Sequence, residues 1–272
     1  MDDTAGLLCV GLDPDLEQFP APLQRFTDVE EAIVRFNVGI IEATADLACV
    51  YKPNLGFYLA HGVPGLRALE RTRALLPPAT PAILDAKIGD IGSTAAAYAR
   101  GVFDALGFDA VTVNPYLGED ALEPFLARPD HGIFVLCKTS NPGSADFQDL
   151  PVTDDCGAGP LHLTVARRVA EWDAAYPATL GLVVGATYPG ELAAIRQACP
   201  DQPILLPGVG AQGGNLPAAV RAGLDARSGG LIASASRAIL YAGGGDDWIQ
   251  RAREAALTLR SAIDDARHAN AA

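Results

Sequence analysis

Three charged residues lie close together in the segment ILDAKIGDIGST, residues 83–94. Asp85 and Lys87 are two positions apart in a run typical of a strand, so both side chains are expected on one face. The residues just before them are apolar, which favours a buried strand whose opposite charges must pair. Asp90 follows three positions later, ahead of a predicted helix start. The alternative interpretation is an exposed ion pair with a helix cap.

A lysine ammonium in such a cluster could act as a proton donor. Its reference pKa is about 10.4, whereas an arginine guanidinium, above about 12, is a poor donor. Of the 20 basic residues, only those at positions 52, 87 and 138 are lysines, and the other 17 are arginines. One interpretation is that genomic base composition favours arginine wherever either cation will serve. The three lysines are therefore candidates for positions where arginine cannot substitute.

The segment ILLPGVGAQGG, residues 204–214, is rich in glycine. It formally fits the dinucleotide pattern G-x-G-x-x-G, but the next predicted strand ends in Ala233-Ser234 and not in the acidic residue that would bind a ribose. We therefore favour a loop whose backbone N–H groups hold a single phosphate, as loops late in a barrel commonly do. Arg237 follows the next strand, where it could contact the same phosphate.

The elements that must position these residues are short apolar runs alternating with longer helical patterns. We predict strands at residues 7–12, 49–53, 82–88, 110–113, 133–137, 180–185, 204–207 and 231–233. Eight such repeats favour a (β/α)8 TIM barrel, and a doubly wound sheet is the rival because alternation alone does not show closure. No linker divides the chain, so we expect one domain over residues 1–272. The longest irregular stretch, about 139–160, is predicted to be a lid.

Polar residues cluster at the carboxyl ends of these predicted strands. They are Asp13, Lys52, Asp85, Lys87, Asn114, Lys138, Ser140, Thr187, Ser234 and Ser236. In a TIM barrel all these ends face one mouth, where the active site lies. The sequence therefore predicts a single site built from many strands.

Composition excludes several classes of protein. The 272 residues are 49% hydrophobic and 19% charged, which excludes a disordered chain. No apolar run is long enough for a membrane span, and the acidic N-terminus is unlike a secretory signal. A net charge of −13 argues against nucleic-acid binding. The five cysteines and four histidines are scattered, so we expect no disulfide framework, no metal site and a cytoplasmic location.

Nine stretches of the chain resemble the orotidine 5′-monophosphate decarboxylase family in its longer bacterial form. In order they are CVGLDPD (9–15), RFN (35–37), YKPNLGFY (51–58), ILDAKIGDIGST (83–94), TVNPY (112–116), KTSNPGS (138–144), VVGAT (183–187), LPGVGAQGG (206–214) and SASRAI (234–239). The element D-x-K-x-x-D is typical of a superfamily, and its combination with Lys52 and PGVGAQGG is typical of this family. One departure is the short segment before the first strand, where the expected helix that covers the barrel bottom is missing.

The resemblance implies a homodimer that converts orotidine 5′-monophosphate to uridine 5′-monophosphate and CO2, the last step of UMP biosynthesis, without a cofactor. It implies that Lys52, Asp85, Lys87 and Asp90 form an alternating charge network, with Lys87 protonating C6 of the pyrimidine and Asp90 reaching the partner's site. The residues implied to contact substrate are Asp13, Thr94 (across the dimer), Ser140, Pro207, Gln212 and Arg237. Among these, Asp13 joins Lys52 at the ribose, Ser140 lies at the pyrimidine, and Gln212 and Arg237 hold the phosphate.

Three alternatives stay open. A magnesium-dependent aldolase of the hexulose-phosphate synthase type shares D-x-K-x-x-D, although the Ser140 region and the PGVGAQGG loop argue against it. A Schiff-base aldolase would use Lys87 as its nucleophile. The third alternative is a catalytically inactive nucleotide-binding protein, against which the intact charge set argues.

Overall fold

Eight parallel strands form a barrel around which the chain is arranged. The computed structural model describes residues 6–155, 157–210 and 215–269. The barrel strands are β1 (Leu8–Leu12), β2 (Val50–Pro53), β3 (Ile83–Ile88), β4 (Ala110–Val113), β5 (Gly132–Lys138), β8 (Thr179–Val184), β9 (Ile204–Pro207) and β10 (Leu231–Ala235). The two remaining strands, β6 (Pro151–Asp154) and β7 (Gly157–Pro160), form a separate antiparallel hairpin. All eight predicted strands are thereby confirmed, with ends that differ by at most two residues.

The barrel is nearly closed, and its weakest join lies between β2 and β3. Hydrogen-bonded neighbours follow the order β2-β1-β10-β9-β8-β5-β4-β3. The two outer strands of this order meet through the isolated parallel bridges Tyr51–Ala82 and Asn54–Asp85. The prediction of a TIM barrel is confirmed, and the alternative of an open doubly wound sheet is wrong.

The barrel interior is filled by one apolar side chain from each strand. These side chains are Cys9, Val50, Ile83, Ala110, Phe134, Val183, Leu205 and Ile232. A second and larger core lies between the strands and the surrounding helices. Because both faces of each strand are covered, the strands have nearly continuous apolar sequences instead of alternating ones. Burial of this apolar surface on two sides holds the strand ends in fixed relative positions.

The helices follow the strands around the outside of the barrel. They are α1 (Val29–Thr44), α2 (Leu55–Leu59), α3 (Gly62–Leu75), α4 (Gly92–Arg100), α5 (Glu119–Leu126), α6 (Leu161–Ala175), α7 (Pro189–Ala198), α8 (Leu216–Gly223), α9 (Arg237–Leu240) and α10 (Trp248–His268). Asp28 caps the first of these helices, since its carboxylate accepts a hydrogen bond from the backbone N–H of Glu31. Among the described residues, no helix is both long and apolar enough to cross a bilayer.

The stretch 139–160 is more regular than the sequence suggests. It contains a short 3-10 helix, Pro142–Asp146, and the hairpin of β6 and β7. The hairpin residues are mostly small or polar, so their sequence lacks the apolar alternation by which strands are recognised. The description of this stretch as irregular was therefore wrong, while its role as a lid stays a prediction.

The amino end of the barrel, opposite the strand ends that carry the polar residues, has an open cavity of about 630 Å³. Its lining includes Leu7, Ile83, Phe134 and Ile232. Within the described residues the chain enters β1 directly after Gly6 and Leu7, with no helix before it.

Candidate active site

The Asp85 carboxylate is the centre of a buried hydrogen-bond network. Lys52 Nζ lies 3.0 Å from Asp85 Oδ2, and Lys87 Nζ lies 2.6 Å from Asp85 Oδ1. The Asn54 amide donates to Oδ2 at 3.2 Å, and the Thr112 hydroxyl donates to Oδ1 at 3.0 Å. Lys52 is 4% exposed and Asp85 is 8% exposed. The alternative of an exposed Asp85–Lys87 ion pair is therefore wrong for the buried Asp85, whereas the Lys87 side chain is 42% exposed.

The charges of this network keep their neighbours ionised. Burial alone would raise the pKa of Asp85, but Lys52 and Lys87 outweigh burial and hold that pKa well below its usual range. Burial alone would lower the pKa of Lys52, but the carboxylates of Asp13 and Asp85 hold it above its usual value. Cys9 lies beneath them in the barrel, where burial raises the pKa of its thiol to about 11. The site thus holds stable charges and a neutral thiol at neutral pH.

A cavity of about 440 Å³ opens beside this network at the carboxyl end of the barrel. Its described lining brings together five of the predicted site residues, namely Asp13, Lys52, Asp85, Pro207 and Arg237. The volume fits a ligand of nucleotide size. The prediction of one site made from many strand ends agrees with this arrangement.

Lys87 reaches Asp85 by a different route from the one the sequence predicts. Regular alternation in a strand would place both side chains on one face. Instead Lys87 has φ of 49°, in the left-handed region, and the pairing of β3 with β4 shifts register between Leu84 and Ile88. The Lys87 side chain is 42% exposed and extends to the mouth of the barrel. The predicted contact exists, but a distorted strand produces it.

The loop after β9 has the backbone conformation that an anion site needs. Gly208 and Gly210 have φ of 89° and 82°, which side-chain-bearing residues rarely adopt. Gly208 and Arg237 line the cavity together. Across the described residues, Arg237 forms no ion pair within the chain, so its guanidinium is available to a ligand. Gln212, predicted to hold the phosphate, lies outside the described residues.

Asp90 and Thr94 do not line the described part of the cavity. The Asp90 carboxylate accepts a hydrogen bond from the backbone N–H of Ile91 at 2.8 Å, and no ion pair of Asp90 occurs within the described residues. Thr94 is exposed on α4. Neither residue is therefore joined to the Asp85 network of its own chain.

Ser140 and Lys138 lie at the end of β5, outside the described cavity lining. The backbone of Ser140 packs on Gly185, where an added Cβ would lie 2.9 Å from the Ser140 nitrogen. Lys138 is buried, and its Nζ contacts the Asp149 carboxylate at 2.6 Å and the Ser144 hydroxyl at 3.2 Å. This third lysine therefore fixes the start of the stretch 139–160 instead of joining the cavity.

Three residues around the site were missed as candidates from the sequence. Asn54 had a usable signal, since it is a polar residue just beyond the end of β2. Thr112 had one as well, as the polar residue within the apolar strand AVTV. Tyr241 had none: its hydroxyl donates to the Asp13 carbonyl at 2.9 Å and accepts from the Asp15 N–H at 2.7 Å, across more than 200 residues of chain.

Comparison with known protein families identifies a match over most of the chain. Residues 6–251 match the model of the orotidine 5′-phosphate decarboxylase / HUMPS family. A Thermomicrobium roseum protein named orotidine 5′-phosphate decarboxylase is 56% identical over 258 residues, which is 95% of this chain and 90% of that protein. A Roseiflexus castenholzii protein of the same name is 53% identical over 260 residues, covering 95% of this chain and 92% of that protein.

Solved structures give the same result at lower identity. A Leishmania donovani OMP decarboxylase is 39% identical with a TM-score of 0.83, and the match covers 97% of this chain and 94% of that one. A Leishmania donovani UMP synthase is 40% identical with a TM-score of 0.85, covering 96% of this chain and 54% of that longer one. The similarity thus extends over nearly the whole of this fold.

We predict that Lys52→Met destabilises the fold by about 3 kcal/mol at neutral pH. Removing one partner of a buried pair leaves the other charge uncompensated, and here both Asp85 and Asp13 would lose a cation. The free energy of unfolding in urea measures the effect. The matched control is Arg168→Met, which breaks the exposed Arg168–Glu171 pair and should change that free energy by less than about 0.5 kcal/mol. Equal effects of the two substitutions would contradict the buried-network interpretation.

Proposed function

The chain belongs to the orotidine 5′-phosphate decarboxylase / HUMPS family, and on this premise we propose that it converts orotidine 5′-monophosphate to uridine 5′-monophosphate and CO2. The observation that carries the proposal is the chain of charges Lys52, Asp85 and Lys87 beside a cavity that also contains Arg237. This reaction is the last step of UMP biosynthesis, and its product is the pyrimidine nucleotide UMP.

The two ends of the cavity suit the two ends of a nucleotide. Arg237 and the loop after β9 would bind the 5′-phosphate, with Gln212 contributed from that loop and Pro207 at its base. Asp13 and Lys52 would hold the ribose hydroxyls between the phosphate and the charge network. Ser140 would contact the pyrimidine edge, and the stretch 139–160 would close over the base as a lid. The base would then lie next to Asp85 and Lys87.

The chemical step needs one bond broken and one proton supplied. The bond between C6 and the carboxylate breaks, CO2 leaves, and the electron pair stays on C6. The Lys87 ammonium stabilises the developing carbanion and then gives it a proton, which forms the C6–H bond of UMP and leaves a neutral amine. Solvent afterwards returns the proton to Lys87. No cofactor is required in this scheme.

The repulsion that Asp85 could exert on the substrate can be compared with the lowering of the activation barrier that the reaction needs. If Asp85 faced the substrate carboxylate at about 4 Å, with an effective dielectric constant of about 20, the repulsion would be about 4 kcal/mol. Very slow uncatalysed reactions need the barrier lowered by roughly 23 kcal/mol or more. Repulsion by Asp85 is therefore too small. Stabilisation by Lys87, together with binding energy from the phosphate used to close the site, must supply the larger part.

We further propose that the active unit is a cytoplasmic homodimer in which Asp90 and Thr94 complete the partner's site. Within the described residues Asp90 makes no ion pair with the Asp85 network of its own chain, which supports a role across an interface. Large exposed side chains occur directly before α4, on α4 and after β4, namely Ile91 at 59%, Tyr98 at 46% and Tyr116 at 81% exposure. A two-fold axis through this surface would place the same residues in both sites. The thiols of the described cysteines are free, as expected in a reducing compartment.

The family description also names HUMPS enzymes, so a hexulose-phosphate synthase-type aldolase is the second candidate. The described residues contain no group of three or more His, Cys, Asp or Glu side chains arranged to hold a metal ion. Dependence on magnesium separates the two candidates experimentally.

We expect chelator-treated protein to consume orotidine 5′-monophosphate, with loss of the substrate's ultraviolet absorbance and release of one CO2 for each UMP formed. Addition of Mg²⁺ should leave the rate unchanged. Treatment with borohydride in the presence of a carbonyl substrate should not label Lys87. Inactivity toward this nucleotide, together with magnesium-dependent turnover of a sugar phosphate, would overturn the proposal in favour of the aldolase.

We predict that Lys87→Arg lowers kcat by at least about 1,000-fold, as does Lys87→Ala. Arginine keeps the positive charge beside Asp85 but cannot give up a proton, so the pair of variants separates charge from proton donation. Affinity for UMP should be nearly retained in Lys87→Arg and serves as the control for folding and binding. Turnover by the arginine variant close to that of the wild type would contradict the assignment of Lys87 as the proton donor.

A mixing experiment tests whether sites are shared between subunits. Lys87→Ala and Asp90→Ala are each expected to be inactive. When they are dissociated and remixed, each hybrid dimer has one site with both substitutions and one site with neither. Because random mixing makes about half of the dimers hybrids, about a quarter of the wild-type activity should return.

The control mixture for this test is Lys87→Ala with Asp85→Ala. Both residues serve the site of their own chain, so every hybrid site carries one substitution and no activity should return. Native mass spectrometry of differently tagged subunits establishes that hybrids form. If hybrids form and the Lys87→Ala and Asp90→Ala mixture stays inactive, then Asp90 serves its own barrel.

A further inference from the structure

The pairing of β3 with β4 is interrupted next to the charge network. Ile83 pairs with Ala110 and Leu84 with Val111, but the next pair is Ile88 with Val113. Three residues of β3, numbers 85–87, therefore lie opposite the single residue Thr112 of β4. Insertions of this kind bend a strand and redirect its side chains, and they leave backbone groups without their usual partners.

The side chain of Thr112 supplies the missing partners. Its Oγ1 accepts hydrogen bonds from the backbone N–H groups of Ala86 and Lys87, both at 2.9 Å. The same hydroxyl donates its proton to Asp85 Oδ1 at 3.0 Å. A hydroxyl has one proton and two lone pairs, so all its hydrogen-bonding capacity is used. Thr112 is fully buried, so water does not compete for these bonds.

The two N–H groups held by Thr112 belong to the distorted part of β3. Lys87 has the left-handed φ of 49°, which is unfavourable for a residue with a side chain and persists only where the surroundings enforce it. The bond from the Lys87 N–H to Thr112 is such a constraint. Beyond it the ladder resumes, with the Asn114 N–H donating to the Ile88 carbonyl at 2.8 Å.

The proton of Thr112 also fixes the rotation of the Asp85 carboxylate. Both lone pairs of Thr112 Oγ1 face N–H donors, so its proton can only point to Asp85. Oδ1 then faces Lys87 and Thr112, while Oδ2 faces Lys52 and Asn54. One hydroxyl thus sets both the backbone that carries Lys87 and the carboxylate that pairs with it.

We propose that Thr112 is a positioning residue for catalysis, which aims the Lys87 ammonium by holding the distorted turn of β3 and the Asp85 carboxylate together. This inference rests on the proposed decarboxylation, since it concerns the placement of the proposed proton donor. Thr112 itself makes no contact with substrate in this scheme. Its loss should therefore affect turnover and leave nucleotide affinity nearly unchanged.

The test compares Thr112→Val, which keeps the shape and removes the hydroxyl, with Thr112→Ser, which keeps the hydroxyl. In the full chain, we expect Thr112→Val to lower kcat by about 10- to 100-fold, since small errors in placing a reacting group have effects of this size. KM and the Kd for UMP should stay within about threefold of the wild type. Thr112→Ser should restore kcat to within about threefold of the wild type.

The matched control is Thr44→Val, which removes another fully buried threonine hydroxyl, hydrogen-bonded to the Ile40 carbonyl on α1. It should leave kcat unchanged even if it lowers the unfolding temperature. The inference is overturned if Thr112→Val retains the wild-type kcat, if Thr112→Ser loses as much as Thr112→Val, or if the loss appears in KM and UMP affinity instead.

A further variant keeps the test decisive if Thr112→Val does not fold. Thr112→Cys has a weaker hydrogen-bonding group of similar size and should lower kcat at least about 10-fold, while a kcat equal to that of Thr112→Ser would overturn the inference. The wild type, assayed in parallel, distinguishes failure of the proposed reaction from failure of the role of Thr112. A wild type that does not consume the nucleotide refutes the proposed function, whereas an active wild type with an equally active Thr112→Val refutes only the role of Thr112.

Discussion

The charged state of Asp85 is the constraint on which the rest of the site depends. A carboxylate in the interior of a barrel is stable as an anion only if cations and hydrogen-bond donors surround it. Here Lys52 comes from β2, Lys87 from β3 itself and Thr112 from β4. Three consecutive strands must therefore keep relative positions that hold these groups within hydrogen-bond distance of Asp85. The apolar layer inside the barrel and the helices outside it provide that rigidity, and the glycine-rich loop and Arg237 complete the cavity above.

The sequence predicted the barrel well because each level of its pattern agrees with the others. Apolar strands, helical stretches and polar strand ends recur eight times, so the strand limits were found to within two residues. The same reasoning failed for β6 and β7, whose small and polar residues pair antiparallel without a buried apolar face. It also misplaced the backbone of Lys87, because regular alternation cannot anticipate an insertion in one strand opposite Thr112.

The site could be predicted in composition but only partly in geometry. Residues at strand ends, such as Asp13, Lys52 and Arg237, meet at one cavity because parallel strands of a barrel end on one side. The three lysines all contact carboxylates, yet Lys138 pairs with Asp149 within the stretch 139–160 and not with the network around Asp85. Residue type alone did not separate these two uses of a buried ammonium. Which carboxylate each lysine contacts depends on where its side chain points at the end of its strand. Local sequence does not specify that direction.

Because β2 and β3 are joined by few backbone bridges, the charge network also helps to hold these two strands together. Few backbone bridges connect these strands, and the bonds from Lys52 and Asn54 to Asp85 cross the same gap. Lys52 and Asp85, proposed to take part in the reaction, therefore also stabilise the closed barrel. A descendant of this protein that no longer needed the reaction could not discard these residues freely, because selection for a closed barrel would still act on them. Retention of the Lys52–Asp85 pair in a relative would accordingly be evidence of an intact barrel, and evidence of the chemistry would require Lys87 and Arg237 to be retained as well.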